Sequence, residues 1–170
     1  MDENLDFVAL HFAHDAREDF LTATNRLSAQ ELIDAARPLR VTCHRAFDMT
    51  CDPFEALEDC FEIGFARILT SGQEANALEG SGLIRDLVAK AAGRISIMAG
   101  MGLNENTVQE IVSKTAVKEI HFSATAHRDS KMIFRNGKIA AMGEAEVNEY
   151  RQRTVDSERV KKIRQLAEGM

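Results

Sequence analysis

Apolar residues along this chain gather into five short runs, centred near Val8, Val41, Ile68, Ile97 and Ile120. Between them, apolar positions recur every three or four residues. Short apolar runs bounded by small or polar residues read as buried strands, and the intervening periodicity reads as amphipathic helix. Subtracting the centres gives spacings of 33, 27, 29 and 23 residues. A strand, a crossover helix and the next parallel strand take roughly 30 residues. The pattern therefore predicts an α/β fold of parallel strands in sequence order, with the helices on one side.

The helix ends carry their own signals. Ser28-Ala29-Gln30-Glu31 reads as a capping box ahead of Leu32, Ile33 and Ala36. Asp52-Pro53-Phe54-Glu55 offers an N-cap, a proline in the first helical position and an acid in the first turn, with Gly64 as the stop. A helix from Leu83 to Ala92 ends at Gly93, and Asn104 is expected to cap the helix carrying Val108, Ile111 and Val112. Asp156 or Ser157 starts a last helix with Val160, Ile163 and Leu166 at core spacing. Between Thr125 and Thr154 the rhythm breaks. There Asn136-Gly137 carries the signal of a type I′ hairpin turn, so a flap-like excursion is expected.

Regular β/α repetition with polar strand ends favours a TIM barrel, but that fold takes about 250 residues and eight strands. Five strands leave two alternatives, a smaller open sheet or the C-terminal portion of a barrel. The start on a strand, Leu5 to Phe12, is what a truncated beginning would look like. With no linker or low-complexity tract, residues 1–170 read as a single domain.

In parallel α/β folds the chemistry sits at the C-terminal ends of the strands. Here those ends carry His44-Arg45-Ala46-Phe47-Asp48-Met49, Thr70-Ser71-Gly72, Gly100-Met101-Gly102 and His121-Phe122-Ser123. Alternate strand residues face opposite sides. Val41, Cys43, Ile120 and Phe122 are thus expected toward the helices, and Thr42, His44, His121 and Ser123 toward the other face. His44, Arg45, Asp48 and His121 are the catalytic candidates, because a histidine is readily poised to move a proton near neutral pH. Arg45 and Asp48 equally suit an ion pair across the turn, and either histidine equally suits a hydrogen-bonded core position. Thr70, Ser71, Gly72, Gly100, Gly102 and Ser123 are candidates for binding a small anion, since glycine-rich turns ahead of helices expose backbone N–H groups. Expected on one rim are His44, Asp48, Thr70, Gly100 and His121. His11 and His14 read as solvated loop residues.

Composition narrows the classes. A net charge of −6 and the absence of a basic run argue against nucleic acid or an anionic membrane as partner. No apolar stretch is long enough to span a bilayer, and the start Met1-Asp2-Glu3-Asn4 lacks the features of a signal peptide. Three cysteines without CxxC spacing fit reduced thiols in a cytoplasmic protein. For a soft metal such as copper(I), Cys51 with Met49 is the pair near the rim; Cys43 is expected to face the helices and Cys60 to lie in the core. Unpaired strand edges would favour a homo-oligomer.

The run Val41-Thr42-Cys43-His44-Arg45-Ala46-Phe47-Asp48-Met49 resembles the signature of the CutC copper-homeostasis family. So do Ala66-Arg67-Ile68-Leu69-Thr70-Ser71-Gly72, Ala77-Leu78-Glu79-Gly80, Ile97 to Gly102, His121 to Ala124 and Met132 to Asn136, in order from about residue 5 to the end. The resemblance implies a TIM-barrel (β/α)₈ fold represented by its last five β/α units, and a cytosolic copper-homeostasis role with a copper ion as candidate ligand. It also implies that the first three strands of the family, with a glutamate, an arginine-rich strand end and family cysteines, have no counterpart here. The residues themselves look more like a barrel enzyme performing acid/base chemistry on a small, phosphorylated or unphosphorylated ligand than like a copper chaperone, and an inactive truncated isoform is a third alternative. All three readings stand as expectations.

Overall fold

The five apolar runs form one parallel sheet. The computed structural model describes residues 7–10, 23–136, 138 and 150–169. In it β1 (Phe7–Leu10), β2 (Arg40–Cys43), β3 (Arg67–Thr70), β4 (Ser96–Gly100) and β5 (Glu119–His121) lie side by side in sequence order. The connections run through α1 (Ala23–Ala36), α2 (Pro53–Ile63), α3 (Ser81–Ala91) and α4 (Val108–Thr115).

Register decides the faces, because residues paired across parallel strands point the same way. Cys43 pairs with Ile68, Ile68 with Ile97, and Ala99 with Ile120. This face, which also takes Val41, packs against Ala29 and Ile33 of α1, Leu57 and Cys60 of α2, Ile84 and Leu87 of α3 and Ile111 of α4 in one core. Each fully buried side chain of this size contributes about 1.5–3 kcal/mol. The opposite face carries Thr42, Arg67, Leu69, Ser96, Met98, Gly100, Glu119 and His121 by the same alternation. On it Arg67 pairs with Glu119 at 2.8 Å, and Ser96 donates to the same carboxylate at 2.8 Å.

The caps account for the helix bounds. Asp52 accepts from the Phe54 and Glu55 amides at 2.8 and 3.1 Å, Pro53 sits in the first turn, and Gly64 closes α2 at φ +101°. Two expected starts move. Ser28 lies inside α1, exposed to water, where a serine costs a helix little. Asn104 caps a preceding turn, accepting from the Asn106 amide at 2.9 Å, and α4 begins only at Val108.

The broken segment forms an antiparallel ribbon, β6 (Thr125–Asp129) with β7 (Arg151–Val155), pairing Asp129 with Arg151. Residues 130–150 intervene, so the Asn136-Gly137 turn is not the link between these strands; Gly137 itself lies outside the described residues. Asp156 caps α5 (Ser157–Glu168), accepting from the Glu158 and Arg159 amides. Ile163 packs against Val108 and Ala124 in a second small core.

Arg159 ties this unit to the turn before α4. Its Nε and Nη2 donate to the Glu105 carboxylate at 2.6 and 3.0 Å, and its Nη1 to the Thr125 carbonyl at 2.8 Å. The guanidinium foremost, then Glu105's own backbone amide, holds that carboxyl down at about 2. An unfolded glutamate titrates near 4.3, so the pair's stabilisation is present above that value and lost as pH falls from about 4.3 to about 2. Glu105→Gln is expected to flatten the pH dependence of urea-unfolding stability over that window. Identical slopes for parent and variant would discard this assignment.

Candidate functional site

The rim is built where β2 and β3 end. After Cys43 the chain turns at His44, whose Nδ1 accepts from the Ala46 amide at 3.3 Å and so caps a short 3₁₀ turn, Arg45–Met49. That turn buries Phe47 and brings Asp48 back over the end of β3. Asp48, with a side chain only 6% exposed, accepts from Arg45 Nε at 2.8 Å and from the Thr70 hydroxyl. It also takes the Ser71 amide at 3.1 Å and the Gln73 amide at 3.3 Å. The Ser71 hydroxyl lies 3.1 Å from the same carboxylate and 2.7 Å from the Glu74 carbonyl.

The turn at 70–72 therefore does hold an anion, but an internal one. Thr70 and Ser71 are fully buried, and the Gly72 amide bonds back to the Thr70 hydroxyl at 2.8 Å. Thr70 shares the face of Ile68 by alternation, which put it inside rather than on an open mouth. Thr70, Ser71 and Gly72, the anion-binding candidates of this turn, direct these donors to Asp48 and to one another. Asp48, one of the catalytic candidates, holds the rim together through these bonds.

Arg45 gains from the arrangement. Its Nε is fixed by Asp48 and its Nη2 by the Ser71 hydroxyl at 2.9 Å, while the side chain stays 38% exposed. Arg45 and Asp48 pair, and the pairing presents a preset guanidinium at the surface.

Loop 71–80 spans from this cluster to the next strand end. The Gln73 amide side chain donates to the Thr50 carbonyl at 2.7 Å on one side. On the other, the Ala77 amide donates to the Met101 carbonyl at 3.0 Å, and Asn76 packs so close to Gly102 that a Cβ there would sit 2.9 Å from its own. Asn76 closes its turn by accepting from the Leu78 and Glu79 amides at 3.1 Å each.

At the ends of β4 and β5, Gly100 and His121 are register partners. Met101 and Gly102 both take positive φ, +77° and +78°, and Met101 is exposed. The Gly102 carbonyl accepts from the Thr107 hydroxyl at 2.9 Å. His121 and Ser123 are exposed. β3 and β4 stand between His44 and His121, a separation of about 14 Å at ordinary strand spacing. The rim thus falls into two clusters joined by loop 71–80, His44-Arg45-Asp48 at one end and Gly100-Gly102-His121 at the other.

The sulfurs divide as expected. Cys51 is exposed beside exposed Met49, while Cys43 and Cys60 are buried. Among the described residues no three His, Cys, Asp or Glu side chains gather into a metal-holding group. No helix among them is long and apolar enough to cross a membrane. A cavity of about 400 Å³, lined by Val88, Ile95, Ile97 and Val117, opens at the other end of the sheet, where β4 and β5 begin.

Sequence reasoning missed Gln73, Thr50 and Asn76. Asn76-Ala77-Leu78-Glu79 is a legible turn signal, with its asparagine three residues before an acid. Gln73, at φ +59°, has none, because a glutamine in left-handed backbone follows no local pattern.

Comparison with known proteins agrees with these motifs. The model of the CutC family matches residues 8–126. A CutC family protein of Parabacteroides distasonis is 47% identical over 132 residues, covering 78% of this chain and 54% of that protein. The copper homeostasis protein cutC homologs of Mus musculus and Homo sapiens are 42% and 41% identical over 139 residues, covering 82% of this chain and 51% of each. The crystal structure of a Streptococcus agalactiae protein described as a CutC copper homeostasis protein superposes with a TM-score of 0.54 at 31% identity, over 57% of this chain and 48% of that one. The chain spans about half the length of the curated relatives it matches.

Proposed function

The chain belongs to the CutC family, and we propose that it serves copper homeostasis in the cytoplasm through a rim that binds a small anionic ligand. On this reading its five β/α units are the second part of a TIM barrel, and further β/α units complete the wall that five strands leave open. The names of the mouse and human relatives support the copper role. Arg45 carries the ligand reading: a guanidinium anchored on Asp48 and Ser71 yet accessible is a preset donor for carboxylate or phosphate. In the other cluster the Gly100-Met101-Gly102 turn and Ser123 would meet the far end of a ligand long enough to reach across loop 71–80.

A second reading is a barrel enzyme performing acid/base chemistry on that same ligand. The exposure of His121 beside Gly100 favours it. Here His44 and His121 would move protons while Arg45 fixes the anion. Thr70, Ser71 and Gly72 serve both readings as the frame of the site.

Inorganic phosphate, followed by phosphorus NMR line broadening and by calorimetry, tests the anion site. Arg45→Gln is expected to weaken binding at least tenfold, the scale of about 1.4 kcal/mol for one charge-assisted hydrogen bond, with unchanged far-UV circular dichroism. Equal affinity in parent and variant would end the reading.

A further inference from the structure

We propose that residues 130–136, at the free end of the β6–β7 ribbon, dock on an anionic bilayer surface, with Met132, Ile133 and Phe134 inserted and the cations around them at headgroup level. This surface acts independently of whatever the rim binds.

The ribbon is anchored at one end. Thr125 follows on from β5 and Val155 leads into α5, and these two residues pair. Asp129 and Arg151 are the last pair at the other end, roughly 14 Å further out at ordinary strand rise. Beyond them the chain turns through a loop held in shape by its own bonds. The Ser130 amide donates to the Tyr150 carbonyl at 2.6 Å, the Met132 amide to the Ser130 hydroxyl at 3.2 Å and Arg135 Nη2 to the Ser130 carbonyl at 3.4 Å. The Asn136 amide donates to the Tyr150 hydroxyl at 2.7 Å, and the Arg135 guanidinium lies 4.7 Å from the centre of the Tyr150 ring. The three residues between these bonds stand out from the loop: Met132 is 57% exposed, Phe134 75% and Ile133 completely. Single apolar residues scattered over a surface are ordinary, whereas three in succession at the apex of a bonded loop mark a contact.

Charge identifies the partner. Lys131 and Arg135 flank the apex, and Arg128, Arg151 and Arg153 stand behind it on the ribbon, all exposed. Among the described residues none of these five pairs with a carboxylate; Arg128 and Arg153 bond instead to Gln152 and Thr125. No basic run marks this surface in the sequence, where Arg128 and Arg153 lie 25 residues apart in a chain of net charge −6. Strand pairing brings them together. Residues 139–149 carry Glu144, Glu146 and Glu149 in the sequence, so the attraction comes from cations set beside the apex and not from a net excess of charge. A protein partner would have to supply a pocket for so convex an apex. A bilayer offers an apolar phase beneath an anionic layer, and apolar residues outermost with cations behind them match that layering. Apolar insertion or charge alone binds weakly and reversibly, and the two together give stable association. The acidic remainder of the chain is repelled by the same surface and faces away from it.

The chain contains no tryptophan, so Phe134→Trp puts a single reporter at the apex of the whole chain. With vesicles of mixed phosphatidylcholine and phosphatidylserine its emission is expected to shift to the blue and to be quenched by brominated lipid. The parent is expected to co-sediment with these vesicles about tenfold better than with pure phosphatidylcholine at low salt, and less well as salt is added. Ile133→Ser with Phe134→Ser changes only exposed positions, so the fold is kept, and is expected to lower partitioning at least about tenfold. Lys131→Gln with Arg151→Gln is expected to remove the preference for phosphatidylserine. Emission that no vesicle shifts, undiminished partitioning of the serine variant, or equal binding of the parent to both kinds of vesicle would overturn the proposal. So would a parent that is a dimer or larger without lipid and that the two serines turn into a monomer, since the apex would then be buried between copies.

Discussion

Asp48→Ala is expected to lower the unfolding free energy by about 3–5 kcal/mol, because three donors lose a nearly enclosed acceptor at about 1–3 kcal/mol each. The carboxylate is nearly enclosed and takes bonds from Arg45, Thr70, Ser71 and Gln73. Without it, the fully buried Thr70 hydroxyl and two backbone amides lose their acceptor, and each unsatisfied buried group costs about 1–3 kcal/mol. Arg45 also loses the anchor that fixes its direction. Urea unfolding followed by circular dichroism measures the loss, and phosphate affinity should fall with it. Asp48→Asn is expected to fall between parent and alanine, because one oxygen still accepts while the amide nitrogen meets donors. A loss under about 1 kcal/mol for the alanine variant would mean that the turn finds other partners and that Asp48 is no hub.

The second large effect lies a few residues on, where loop 71–80 crosses itself. A Cβ on Gly80 would sit 2.0 Å from the Ser71 carbonyl oxygen, and one on Gly72 would sit 2.3 Å from the Gly80 carbonyl oxygen. The obstacles are backbone atoms on both sides, so neither a rotamer change nor a side-chain shift relieves them. Gly80→Ala is therefore expected to destabilise by about 3 kcal/mol, the upper part of the usual range for overpacking. Gly72→Ala adds the strain of an alanine at φ +73°. Gly64 is the control: it also takes positive φ but has open space around it, and Gly64→Ala should cost only about 1 kcal/mol. Thermal melts of the three variants rank them, and a Gly80→Ala protein as stable as Gly64→Ala would refute the close crossing. Because this loop joins the two clusters of the rim, Gly80→Ala should also weaken phosphate binding by the partly folded fraction at least.

Much of the fold was legible because its determinants are local. Asp52, Pro53 and Gly64 bound α2 as read, since caps act over three or four residues. Strand parity placed Cys43 inward and His121 on the opposite face, since alternation is a property of one strand. The Ser28 box was misread because the same four residues are also good helix interior, and helix N-terminal to them carries Arg26 to its partners on α2.

The sequence by itself determined five parallel strands in order, the helices that connect them, the side on which the core lies and the family to which the chain belongs. Each follows from a period, a cap or a motif within one segment. Only the tertiary structure decided that Asp48 fills the turn at 70–72, that Gly72 and Gly80 touch, and that the rim divides in two. These contacts join positions that lie between 8 and 25 residues apart in the chain. Periodicity says which way a side chain faces. Which neighbour it meets depends on how the loops between elements close, and that is set by packing rather than by any local pattern.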